Sequence, residues 1–121
     1  MKQLTRAQED LMHYVWELGE CTVGQLRESI RAKTGKLPAH STVSTLIRAL
    51  DERGFVSHRS YGRTFVYTPA IGREAYGRQG LHRLVSRFFS GSAGAAVSYL
   101  VKDESISLEE IGDLLRQLEE E

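Results

Sequence analysis

Around Gly54 the spacing of apolar residues switches from a helical period to an extended one, and this switch constrains the fold more than any other feature of the chain. Before it, Val43, Leu46, Ile47 and Leu50 recur at i, i+3, i+4 and i+7, which predicts a helix over about 40–53 closed by Gly54. After it, FVSHRS (55–60) and TFVYT (64–68) are rich in aromatic and β-branched residues and flank Gly62. That pattern predicts a hairpin with its tip at about Ser60 to Arg63. Pro69 ends the second strand because it has no N–H to give a ladder.

Two further helices precede the switch. Leu11, Met12, Val15, Trp16 and Leu18 fall largely on one face of a segment from about Thr5 to Leu18, with Glu9, Asp10 and Glu17 elsewhere. Thr5 with Gln8 reads as a capping box and Gly19 as a stop. Thr22 with Gln25 repeats the box, and Val23, Leu26 and Ile30 give a second helix over about 23–33 that ends before Gly35. Three helices and a hairpin within about 70 residues is the order of a winged helix-turn-helix.

After Pro69 the pattern is helical again. Leu81, Leu84, Val85, Phe88 and Phe89 form an apolar stripe over about 73–90, and SGSAG (90–94) interrupts it. A short helix with Val97, Leu100 and Val101 follows. Ser107 and Glu110 read as a third capping box, opening a last helix with Leu108, Ile111, Leu114, Leu115 and Leu118. These 50 or so residues are too few to bury that much apolar surface alone. The expected fold is therefore mainly α with a small β-hairpin wing: a winged helix-turn-helix over 1–70 and a helical dimerisation module over 71–121. Folding of the second part back onto the first is the alternative.

Composition bounds the setting. Forty per cent hydrophobic and 26% charged residues describe a globular chain, and no apolar run approaches the roughly 20 residues of a membrane span. Glu9 and Asp10 stand where a leader peptide would need an apolar core. Cys21 is the one cysteine, which fits a reducing cytoplasm, and its place before the second helix fits a small buried thiol. The histidines (His13, His40, His58 and His82) are scattered and none pairs with Cys21 at a ligand spacing, so no metal or other cofactor is expected. No serine lies in a GxSxG elbow, and Gly72, Gly77 and Gly80 follow no phosphate-loop spacing. An enzyme is not expected.

The predicted third helix carries the one chemically suggestive surface. Between its apolar positions lie His40, Ser41, Thr42, Ser44, Thr45 and Arg48. Short hydroxyl side chains let a helix approach a duplex and bond phosphates or base edges, and Arg48 can make a bidentate contact to guanine. Arg59, Tyr61 and Arg63 cluster at the hairpin tip, where they suit a phosphate backbone or a minor groove. The formal charge of zero does not oppose this, because it is a cancellation. Residues 1–70 carry ten Lys and Arg against seven Asp and Glu, and residues 71–121 carry six against nine. A docking module for another protein is the rival reading, and it would favour exposed apolar residues where the sequence offers Ser, Thr and Arg.

LTRAQEDLMHYVWELGECTVGQLRESI followed by HSTVSTLIRALDERGFVSHRSYGRTFVYTPAI resembles the penicillinase repressor family (BlaI/MecI/CopY). Trp16 late in helix one, the STVSTLIRAL core of helix three and the GF-to-YGRTFVY wing carry the resemblance. It implies a dimeric repressor on a near-palindromic operator in double-stranded DNA, with Ser41, Thr42, Ser44, Thr45 and Arg48 on the recognition helix and Arg59 and Arg63 on the wing. Dimerisation would come from the helices after Pro69, and an inducing protease or another effector would be a further partner. Two departures concern the signal. Where β-lactam-responsive members are cut at an Asn-Phe bond, this chain has Tyr99-Leu100. The copper-responsive members end in a cysteine-rich metal site, whereas this chain ends LLRQLEEE.

Overall fold

The computed structural model describes residues 3–121. Helices α1 (Arg6–Leu18) and α2 (Val23–Thr34) start at the two threonine boxes. Thr5 and Thr22 accept the N–H of Gln8 and Gln25 at 3.2 and 3.1 Å, and the glutamine side chains return to the threonine N–H groups at 3.0 and 2.9 Å. Each threonine cap contributes about 1 kcal/mol. Gly35 ends α2 with a left-handed φ of 81°. Helix α3 (His40–Glu52) differs, since its N-cap is Ala39 and no side chain caps it.

Strands β1 (Val56–Tyr61) and β2 (Thr64–Pro69) pair antiparallel from Val56↔Pro69 to Tyr61↔Thr64. The ladder thus runs closer to the tip than the sequence suggests, placing Ser60 and Tyr61 in β1 rather than in the turn. The reason is the two-residue turn at Gly62 and Arg63: a φ of 60° at Gly62 is the II′ geometry that matches strand twist and asks for glycine first. A further pairing joins the hairpin to the α1–α2 connection. Cys21 N–H donates to the Tyr67 carbonyl at 2.9 Å, and Tyr67 N–H to the Cys21 carbonyl at 2.7 Å.

The core lies among these elements. Leu11, Met12 and Val15 of α1, Leu26 of α2, and Val43, Ile47 and Leu50 of α3 meet Phe55, Val56 and Tyr67 of the hairpin, all buried. Leu18, at the last position of α1, stays 40% exposed. The residues just after the hairpin also return to α1. Trp16 Nε1–H donates to the Ile71 carbonyl at 2.9 Å. Tyr76, buried near the start of helix α4 (Arg73–Phe88), accepts from Leu4 N–H at 3.0 Å and donates to Glu9 Oε2 at 3.2 Å.

The chain divides into two compact units, Met1–Arg78 and Gln79–Glu121. The second holds the rest of α4, then α5 (Ala93–Lys102) and α6 (Leu108–Glu119). Positive φ at Ser90 (52°) and Gly91 (79°) breaks the chain between α4 and α5. Ser92 caps α5 by accepting from Ala95 N–H at 3.0 Å, a cap without the glutamate or glutamine that would signal it in the sequence. Ser107 caps α6 by accepting from Glu110 N–H at 3.0 Å. Among the described residues, the buried apolar side chains all lie between Leu4 and Tyr76, and none lies in the second unit. No helix is long and apolar enough to cross a membrane among the described residues.

Candidate nucleic-acid interface

Burying Val43, Ile47 and Leu50 turns the polar residues of α3 outward. His40, Ser41, Thr42, Thr45 and Arg48 are exposed and Ser44 is half-buried. The Arg48 guanidinium donates to Ser44 Oγ at 3.0 Å, which lays the arginine along the helix surface. The helix is held at both ends. Arg27 Nε donates to the Pro38 carbonyl at 2.9 Å just before α3. After it, Arg53 donates to Gln8 Oε1 and to the Gln3 carbonyl, each at 2.7 Å. Such anchoring fixes the presentation of the exposed face before any ligand arrives.

An open groove of about 600 Å³ runs between α3 and the hairpin. His40, Ser44 and Arg48 form one wall, Arg63, Thr64, Phe65 and Tyr67 the other, and Thr22, Val23 and Gly24 at the start of α2 close one end. Arg48 and Arg63, far apart in sequence, thus serve one concavity, and neither makes an ion pair among the described residues. The uncapped start of α3 adds N–H groups of positive partial charge.

The remaining residues named from the sequence lie elsewhere. Thr42 lines a different, more apolar hollow among α1, α2 and α3, beside Tyr14, Ile30 and Leu46. Arg59 and Tyr61 belong to the outer face of the hairpin. The pairing sets His58 opposite Tyr67 and Ser60 opposite Phe65, so alternation along β1 sends Arg59 and Tyr61 the other way. Arg59 is ion-paired with Glu20 and its guanidinium stands 5.2 Å from the Tyr61 ring centroid.

Two contributors escaped the sequence reading. Phe65, 48% exposed, stands at the groove edge, where a ring suits a thymine methyl or a sugar face. The alternation Phe65, Tyr67 could have put it on the face turned toward α3. His58 fastens the wing: its Nδ1 meets the Asp51 carboxylate at the end of α3, and its ring stands 5.0 Å from Phe65 and 6.0 Å from Tyr67. Burial pushes the Tyr67 hydroxyl up from its ordinary pKa, the Asp51 charge pushes it further, and Arg48 pulls it partly back.

The family model described as the penicillinase repressor matches residues 4–120. The chain belongs to the penicillinase repressor family. A relative from Bacillus licheniformis, the penicillinase repressor, is 27% identical over 118 residues, spanning 98% of this chain and 91% of that protein. Among solved structures, monomeric Bacillus licheniformis BlaI in complex with the blaP half-operator is similar at 27% identity and a TM-score of 0.50, covering 62% of this chain and 89% of that one. RosR of H. salinarum shares the fold at a TM-score of 0.53 and 18% identity, over 86% of this chain and 96% of that one. The resemblance in the winged-helix residues thus extends to membership of the penicillinase repressor family over nearly the whole chain, and the winged-helix fold expected of it is present.

Proposed function

We propose that this member of the penicillinase repressor family is a homodimeric transcriptional repressor acting in the cytoplasm. Each protomer lays α3 in the major groove of a near-palindromic operator and sets its hairpin on the adjacent backbone. The observation that carries this reading is the groove that gathers His40, Ser44 and Arg48 with Arg63 and Phe65 behind an exposed row of short hydroxyls. The similar BlaI, solved in complex with the blaP half-operator, supports DNA as the partner. Residues 1–70 read DNA and the helices after Pro69 dimerise, with half-sites about one helical turn apart or a multiple of it.

Dimerisation is supported by the second unit's surface. Leu81, Leu84, Phe88, Val97, Leu100, Leu108, Leu114, Leu115 and Leu118 are between 41% and 74% exposed, and Val85, Phe89, Val101 and Ile111 are half-buried. Three helices carrying so much uncovered apolar surface gain by pairing with a second copy. Induction by a protease or another effector would act on this unit. Tyr99 and Leu100 lie within α5, 57% and 41% exposed.

Anisotropy titrations against the protein's own upstream DNA test the reading. Arg63→Ala should weaken binding to all sequences similarly and lower the salt slope by about 1, whereas Arg48→Ala or Thr45→Ala should change sequence preference by about 1–3 kcal/mol. Absence of sequence-selective, salt-dependent binding there sinks it.

A further inference from the structure

One wing cation is already occupied. Arg59 is ion-paired with the Glu20 carboxylate, and the two side chains are 52% and 49% exposed. The Tyr61 ring supports the guanidinium from beside it. Main-chain pairing brings Glu20 to the free edge of β2, and the Arg59 side chain reaches it from β1 across that strand. The residue after Glu20 is Cys21, hydrogen-bonded in both directions to Tyr67 on β2, so the backbone at Glu20 is fastened alongside the hairpin. Arg48 and Arg63 have no acidic partner of this kind among the described residues.

In the proposed function the hairpin sits on the adjacent backbone, and where the outer face that carries Arg59 and Tyr61 meets that backbone, phosphate oxygens reach the same guanidinium. Its planar fork can serve a carboxylate or a phosphate, and a carboxylate left beside the phosphate repels it. We infer that Glu20 sets the protein's affinity for DNA by holding Arg59 as an internal stand-in for a backbone phosphate, which docking of the wing must displace. This rests on the DNA-binding reading above. The effect belongs to the backbone and not to the bases, so Glu20 tunes how tightly any sequence is held and leaves the ranking of sequences unchanged. Because the pair is exposed, salt weakens both the internal contact and its competitor.

The test is a double-mutant cycle of Glu20→Gln and Arg59→Gln, titrated by anisotropy on two duplexes, the upstream DNA and a scrambled sequence of equal length. At about 50 mM salt Glu20→Gln should tighten binding about threefold for each wing engaged, on both duplexes alike, in keeping with the small worth of exposed ion pairs. In the Arg59→Gln background the same change should give no gain, and in wild-type background the gain should shrink towards none at about 0.5 M salt. An equal gain with and without Arg59 overturns the inference, because Glu20 would then act as a general repulsive charge. No gain in either background overturns it as well. Glu20→Ala, which keeps no polar atom to replace the carboxylate, repeats the cycle should Glu20→Gln melt below wild type. Wild-type protein that shows no selectivity between the two duplexes instead overturns the DNA-binding reading itself.

Discussion

The two units of this chain solve the burial problem in different ways. Between Leu4 and Tyr76, three helices and a hairpin enclose Met12, Val15, Leu26, Ile47, Leu50 and Phe55 at 1% exposure or less. Across residues 79–121, three helices of similar length leave Phe88 at 73% and Leu108 at 74%. Helix formation is no weaker in the second unit, where Ser92 and Ser107 cap α5 and α6. What it lacks is a second layer. The first unit gets one by turning helical chain into a hairpin that covers the helices, and the tyrosine and tryptophan contacts to Leu4, Glu9 and Ile71 extend the cover. A unit built only of short helices carries its apolar stripes outward, and the proposed pairing with a second copy would cover them.

Several changes would break or sharpen that contrast. The largest effect should come from Phe55→Ala, which removes a fully buried ring from the first unit and should cost about 3–5 kcal/mol in urea unfolding. Leu108→Ala in dilute protein should cost well under about 1 kcal/mol, since an exposed side chain loses little when truncated. Comparable losses at the two sites would show that the second unit has a core of its own. Next, Phe88→Glu or Leu115→Glu should raise the dimer dissociation constant about 100-fold by analytical ultracentrifugation while leaving the first unit's near-ultraviolet dichroism intact. A wild-type protein that sediments as a monomer at micromolar concentration removes the dimer from the account.

The third concerns the joint between hairpin and helices. Burial pushes the Cys21 thiol up from 9.0 to about 11. The unfolded chain therefore loses this proton at lower pH than the folded one. The stabilisation is fully present below about pH 9 and is lost as pH rises from there through about 11. Tyr67, also shifted upward, adds to the fall at higher pH. Cys21→Ala should flatten the start of that alkaline limb in pH-dependent melting, and an unchanged slope would assign it to other groups. The smallest effect is at a cap: Thr22→Ala should cost about 1 kcal/mol, and a loss below about 0.3 kcal/mol would mean that packing alone holds the start of α2.

Much of the first unit could be read residue by residue. The Thr5–Gln8 and Thr22–Gln25 pairs and the stripe from Val43 to Leu50 mark helices because each signal and its target lie within one or two turns. The candidate interface was legible as a set of residue types on α3 and the wing. Its geometry was not. Thr42 and Ser44, two residues apart, line different hollows, and Arg59 and Arg63 of one hairpin part company. These outcomes depend on which side of a helix or strand faces which neighbour.

By itself, the sequence determined where α1 and α2 start and stop, where the period changes to make a hairpin, and how positive charge concentrates in the first 70 residues. Those are local properties, written in caps, glycines and spacings a few residues long. Only the tertiary structure decided that Cys21 would pair with Tyr67, that Glu20 would claim Arg59, that His58 would fasten the wing to Asp51, and that Arg48 and Arg63 would share a groove. Apart from His58 and Asp51, which face each other across the bend between α3 and β1, these partners lie 15 to 46 residues apart in the chain. Their meeting carries no local signature, because it is fixed by how the buried faces stack and not by any residue's own preference.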